Sequence, residues 1–126
     1  MTVLNGSKVL IVEDDYFIAA ELERFFTKLG AIVLGPASSI DHADAYVDEA
    51  DAAILDVRLD GRLVFPLADK LAHRQIPFVF NTGQRDIAIP ERFRYASYLS
   101  KPAAAKASAI PPMMISGMPD RRSPGE

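Results

Sequence analysis

The chain divides into short continuous apolar runs and longer stretches whose apolar residues recur at helical spacing. Lys8-Val9-Leu10-Ile11-Val12, ended by Glu13-Asp14-Asp15, reads as a strand buried on both faces, as a parallel sheet requires. Asp15 suits the N-cap of a helix from Tyr16 to Leu29, with Ile18, Leu22, Phe25, Phe26 and Leu29 at helical spacing and Gly30 as its stop. Ala31-Ile32-Val33-Leu34 predicts a second strand, closed by Gly35-Pro36. Ser38 or Ser39 then caps a second helix with the stripe Ile40, Ala43, Val47 and Ala50, while Asp41, Asp44, Asp48 and Glu49 face water.

Ala52-Ala53-Ile54-Leu55 is the third strand, and it delivers Asp56 to its carboxyl end ahead of a loop with Asp60-Gly61 turn chemistry. Pro66 fits the first turn of a third helix whose inner face is Leu67, Ala68 and Leu71. Gln75-Ile76-Pro77 leads into a fourth strand, Phe78-Val79-Phe80, ending at Asn81-Thr82-Gly83. Between Ile87 and Tyr95, Pro90 allows only a short helix. Tyr98-Leu99 is a minimal fifth strand, ended by Lys101-Pro102. This alternation predicts right-handed βαβ units, and so a doubly wound α/β fold with helices on both faces of a five-stranded parallel sheet.

Residues 103–126 change character. Ala103 to Ala109 offer two helical turns before Pro111-Pro112 block continuation, so the expected division is a domain over 1–109 and a disordered tail over 110–126. Ile110, Met113, Met114 and Ile115 either form an apolar strap or face solvent. The length of 126 residues suits one core. The 14 basic and 17 acidic side chains leave a net charge of -3, which gives no electrostatic reason to expect nucleic acid or an anionic membrane as partner. No apolar run approaches the roughly 18 residues of a membrane span, and no leader stands out, so a cytoplasmic location is expected. With no cysteine, disulfides and thiol chemistry are excluded; His42 and His73 read as surface residues.

Candidate chemistry gathers at the strand ends. The first strand supplies Glu13 and Asp14, the third Asp56, the fourth Thr82 and the fifth Lys101. Carboxylates in one small cleft repel each other and lose hydration, and a hard divalent cation with oxygen ligands such as Mg²⁺ relieves both costs. Lys101 adds positive charge, and Thr82 a hydroxyl able to bond an oxyanion. A carboxylate nucleophile, a metal and two donors form an inventory for phosphoryl transfer.

On Val12-Glu13-Asp14-Asp15, Leu55-Asp56, Thr82-Gly83 and Tyr98-Leu99-Ser100-Lys101-Pro102, the sequence resembles the receiver domain of two-component response regulators, over roughly residues 7 to 102. The resemblance implies a flavodoxin-like sheet of order 2-1-3-4-5. It implies that Asp56 accepts a phosphoryl group from a histidine kinase or phosphotransfer protein, and that Glu13, Asp14, Asp56 and the Arg58 backbone carbonyl hold Mg²⁺. Thr82 and Lys101 would bind the phosphoryl group, and Thr82 and Tyr98 would act as switch residues. Phe80-Asn81-Thr82-Gly83-Gln84 with Ile89-Pro90-Glu91-Arg92-Phe93 further resembles the Phe-Ala-Thr-Gly subgroup of receivers, which includes stand-alone regulators of alphaproteobacteria. Asn81 and Gln84 depart from its usual alanine and aromatic residue. The other departure follows Lys101-Pro102, where the long fifth helix of receivers is truncated or atypical and the fourth is shortened.

The expected function is therefore a stand-alone phosphoacceptor, catalysing only its own phosphorylation and dephosphorylation. It would be a monomer or weak homodimer with a protein partner downstream. Two other readings compete: a phosphorylation-independent receiver-like interaction module, and a Mg²⁺-dependent hydrolase with an aspartate nucleophile. The hydrolase usually wants a general acid two residues beyond the nucleophile, where this chain has Arg58. Bland alternatives also exist for single residues. Tyr98 would pack simply as an edge-strand aromatic, Lys101-Pro102 serve as a turn, Asp60 as a cap, and Arg62 and Arg85 as solvated charge rather than steering groups.

Overall fold

Strand β1 (Lys8–Val12) forms where the first apolar run predicts it, and its residues Val9 to Val12 are fully buried. The computed structural model describes residues 4–82, 89–93 and 97–100, with Thr82 and 97–100 described by backbone alone. After β1 come α1 (Tyr16–Lys28), β2 (Ile32–Ala37), α2 (Ile40–Asp44), a 3-10 turn (Val47–Glu49) and β3 (Ala52–Asp56). These are followed by β4 (Arg58–Leu59), β5 (Arg62–Leu63), α3 (Phe65–His73), β6 (Phe78–Thr82), a second 3-10 turn (Glu91–Phe93) and β7 (Ser97–Ser100). The main sheet has the order β2-β1-β3-β6-β7 with every pair parallel, which is the expected doubly wound order once the small β4-β5 ribbon is set aside.

Strand alternation sorts the core into two layers. Val9, Ile11, Ala52, Ile54 and Val79 meet Leu22 and Phe26 of α1 on one face. Leu10, Val12, Ala53, Leu55 and Phe80 meet Ala43, Leu67, Ala68 and Leu71 of α2 and α3 on the other. Phe93 brings the second 3-10 turn onto that face, its ring 5.8 Å from Phe65 and Phe78 and 5.7 Å from Phe80. Arg92 ties the same turn to α3 through two hydrogen bonds to Asp69, of 2.6 and 2.9 Å, and these raise the Arg92 pKa.

The structure departs from the sequence expectations in four places. The second helix ends at Asp44 and resumes only as a 3-10 turn, because the N–H groups of Tyr46, Glu49 and Ala50 bond three residues back rather than four. Ala43, Val47 and Ala50 are nevertheless buried as their spacing predicts, and Ser39, rather than Ser38, is the cap. Strand β2 runs through Gly35-Pro36 instead of stopping there; it is an edge strand, where a missing N–H is tolerated, and its register against β1 shifts between Leu10 and Val12. Strand β6 extends to Thr82, two residues past the apolar run. Finally, the loop after Asp56 is an antiparallel ribbon closed by Asp60 and Gly61, both with positive φ, the backbone of a type I′ hairpin turn.

The described part of the β6–β7 connection, Glu91–Phe93, follows Pro90 as the short helix was expected to. His42 and His73 are exposed. The expectations for Gln84, Arg85, Lys101, the fifth helix and the tail over 110–126 lie outside the described residues.

Two glycines with nearly equal φ generate a stability prediction. At Gly35 (φ +89°) an added Cβ would lie 2.5 Å from the Ala37 nitrogen and 3.1 Å from the Ile11 carbonyl oxygen, whereas at Gly61 (φ +81°) it would meet nothing within 4 Å. We predict that Gly35→Ala destabilises by roughly 2–4 kcal/mol, combining strain with a backbone clash, and Gly61→Ala by about 1 kcal/mol from conformation alone. Urea unfolding of both variants checks the ranking; equal midpoints would contradict it.

Candidate functional site

Four consecutive residues at the end of β1 divide between two tasks. Asp15 is taken by the fold: its carboxylate caps α1, accepting from the N–H groups of Phe17 (2.9 Å) and Ile18 (3.1 Å). The Asp15 N–H in turn donates to Glu13 Oε1 at 3.1 Å, holding that side chain back over the strand end. Glu13 and Asp14 are left to meet Asp56, the last residue of β3. One carboxylate oxygen from each of Glu13, Asp14 and Asp56 lies within 4.8 Å of the other two. Glu13 is 2% and Asp56 6% exposed, while Asp14 is open to solvent.

The adjacency follows from register. Val12 pairs with Leu55, so the next residues, Glu13 and Asp56, stand level on neighbouring strands. Since β2 and β3 lie on opposite sides of β1, this is the point where the sheet reverses its winding, the usual ligand crevice of such sheets. A cleft of about 320 Å³, bordered by Glu13, Asp14, Tyr16, Pro36 and Ser38, opens beside the carboxylates. Tyr16 stands exposed at its rim, its ring edge to face with the exposed ring of Phe17.

The hairpin ribbon contributes to the site in two ways that its turn chemistry alone did not reveal. The N–H of Asp60 donates to Asp14 Oδ2 at 2.9 Å, so the ribbon's tip fixes one acid. Val64 N–H bonds the Val57 carbonyl, which makes Val57–Val64 a hydrogen-bonded rung and the Arg58–Leu63 pair a non-bonded one. The Arg58 carbonyl therefore points away from β5 and takes no part in the ribbon's ladder. Thr82 ends β6 and Tyr98 lies in β7 opposite Phe80, both placed by backbone, and Lys101 lies outside the described residues. The sequence reading treated Asn81 only as a departure from a motif; it is fully buried and pairs in register with Asp56.

Three acids this close, two of them nearly cut off from water, could together hold a hard cation through oxygen ligands. Without one, each pair of charges at such separations repels by roughly 1–3 kcal/mol, depending on the local dielectric. Among the described residues no helix is long and apolar enough to cross a membrane.

The class of α/β domain that carries this strand-end acid triad on a doubly wound parallel sheet emerges from comparison with solved structures. The chain is similar to SdrG from Sphingomonas melonis Fr1, at 41% identity over 86% of this chain and 95% of that one, with a TM-score of 0.71. It is similar also to the signal receiver domain of a modulated diguanylate cyclase from Desulfovibrio desulfuricans G20, at 33% identity over 80% and 86% of the two chains, TM-score 0.65. A third relative is the receiver domain of HemR from Leptospira biflexa, at 28% identity over 76% and 82%, TM-score 0.64. No protein-family model matches the chain, and no curated protein does. The chain belongs to the response regulator receiver family.

Charge relief at the triad can be measured. Asp14→Asn keeps an acceptor for the Asp60 N–H and removes one of three negative charges, so we predict a gain of about 1 kcal/mol in the stability of the metal-free protein. Urea unfolding in the presence of EDTA tests this, and a loss of stability would argue that the triad is not self-repelling.

Proposed function

We propose that this receiver is a phosphoacceptor of two-component signalling, with Asp56 taking a phosphoryl group from a histidine kinase or a phosphotransfer protein. The observation that carries the reading is the Glu13–Asp14–Asp56 triad, set at the carboxyl ends of two adjacent parallel strands. The relative SdrG also has a solution structure in a BeF3-activated conformation, at 41% identity over 78% of this chain. Beryllofluoride is a tetrahedral mimic of a phosphoryl group, so that relative supports the same chemistry here.

The three carboxylates and the Arg58 carbonyl fit Mg²⁺, which prefers hard oxygen ligands and keeps several waters. When bound, the ion would neutralise charge on the phosphoryl oxygens. The chain's own part is to hold one Asp56 oxygen at the carboxyl end of β3 as nucleophile. That oxygen forms a bond to phosphorus while the phosphorus–nitrogen bond of the donor phosphohistidine breaks. The imidazole leaves with the electron pair and picks up a proton. Thr82 and Lys101 fit as donors to the phosphoryl oxygens, and Thr82 and Tyr98 as the residues whose side chains respond to it.

On this reading residues 1–109 form the receiver, which acts in the cytoplasm, as a monomer or weak homodimer, by engaging a protein partner. It turns over no external substrate beyond its own phosphorylation and dephosphorylation. The subgroup assignment rests on Phe80, Thr82-Gly83 and the Pro90 segment.

Intact mass after incubation with Mg²⁺ and an active phosphohistidine donor tests the proposal. The parent should gain one phosphoryl group; Asp56→Asn should gain none, and neither should the parent in EDTA. A parent that stays unmodified by a donor able to phosphorylate a control receiver would refute the reading and favour a phosphorylation-independent interaction module.

A further inference from the structure

Of the four buried polar side chains in the described core, three lie on one rung across the sheet: Glu13, Asp56 and Asn81. Register sets the level, with Glu13 one step past the Val12–Leu55 pair and Asp56 paired with Asn81. Alternation sets the face. Ile11, Ile54 and Val79, each two residues earlier, all pack in the α1-side layer, so Glu13, Asp56 and Asn81 project to that same side. Asn81 is 0% exposed, and neither its amide nitrogen nor its amide oxygen has a hydrogen-bond partner among the described residues.

A buried carboxamide with nothing to bond is costly, and an alanine or leucine in the same place would avoid the cost. Its surroundings give the amide one natural client. Neighbouring parallel strands lie about 4.8 Å apart, so the group attached to Asp56 falls within reach of a carboxamide on the next strand. A phosphoryl group brings oxygens that carry negative charge, and a neutral N–H donor satisfies them without adding charge to an already acidic rung.

We propose that Asn81 is a further phosphoryl-binding residue of this site, its Nδ2 donating to an oxygen of the group carried by Asp56. The inference rests on Asp56 being the phosphoacceptor. It makes Asn81 a third donor to the modified state, and it accounts for a polar residue standing inside a hydrophobic layer.

The test uses the full chain with Mg²⁺ and beryllofluoride as the probe, comparing the parent with Asn81→Leu and Asn81→Ala. Leucine keeps asparagine's branched shape with greater volume and no amide, and alanine removes the amide without adding bulk, so at least one variant should keep the fold. Both variants should bind beryllofluoride about tenfold more weakly than the parent, the scale of one lost hydrogen bond to a charged group. They should bind Mg²⁺ alone as the parent does and unfold at equal or higher urea. Unchanged beryllofluoride affinity in Asn81→Leu overturns the inference and leaves the amide a structural burden. An equal loss of affinity for Mg²⁺ alone overturns it as well, since Asn81 would then support the metal ligands. A parent that takes neither beryllofluoride nor a phosphoryl group defeats the phosphoacceptor reading itself, and is told apart because all three proteins would then be silent.

Discussion

The constraint on which the site depends is the mutual repulsion of three carboxylates that the sheet forces together. Glu13 and Asp56 cannot move apart, because each directly follows a buried apolar run and the two runs are hydrogen-bonded neighbours in fixed register. Sliding β1 against β3 by one residue would relieve the charges, but it would turn Val9 and Ile11 from the α1 face toward the α2–α3 face and disrupt both core layers. Hydrophobic burial thus holds an electrostatically unfavourable arrangement in place. Such stored repulsion is what a bound cation would relieve.

The parts around the triad shape this arrangement. Asp15 is consumed as a helix cap, which anchors α1 and keeps a fourth carboxylate out of the cleft. The β4-β5 ribbon fixes Asp14 from the other side through the Asp60 N–H, and its alternating ladder leaves the Arg58 carbonyl aimed outward. On the far side of β3, Phe65, Phe78, Phe80 and Phe93 form a continuous aromatic cluster that seats the 3-10 turn Glu91–Phe93 against α3. Arg92 reinforces that seating by bonding Asp69 while its guanidinium lies 4.8 Å over the Phe93 ring. Glu91–Phe93 is therefore packed, through Phe93, against the layer that holds the strand neighbours of Asp56.

Much of this is legible in the sequence because two-sided burial leaves a coarse signature. Val9 to Val12 and Ala52 to Leu55 are unbroken apolar runs, and an acid placed directly after such a run has nowhere to be but the strand's end. Legibility stops where backbone hydrogen bonding, rather than burial, decides the outcome. The stripe Ala43, Val47, Ala50 says which residues face inward; it does not say whether N–H groups bond three or four residues back, and the helix broke there. Asn81 reads as a loop residue because it is polar, so the pattern ends β6 at Phe80. The ribbon does have a local signal, since Asp60-Gly61 flanked by Leu59 and Leu63 is a signature of a two-residue hairpin. Gly35-Pro36 misled in the opposite direction: a pair that usually ends strands sits inside one, where an edge position and a register shift accommodate it.

The same distinction between burial and bonding explains why Asn81 repays attention. A core assembled only for stability fills each rung with whatever apolar side chain fits, as Val12, Leu55 and Phe80 do one rung below and Ile11, Ile54 and Val79 two rungs below. At the last rung before the strand ends the pattern changes to Glu13, Asp56 and Asn81, with no loss of burial at any of the three. The two acids have a use as the ligands proposed for a cation. The amide carries no charge for a cation to neutralise and adds no apolar area. Its only physical asset is a pair of hydrogen-bonding atoms, and such atoms in a dry layer are useful only to a partner that arrives. The level at which that partner must arrive is the level of Asp56.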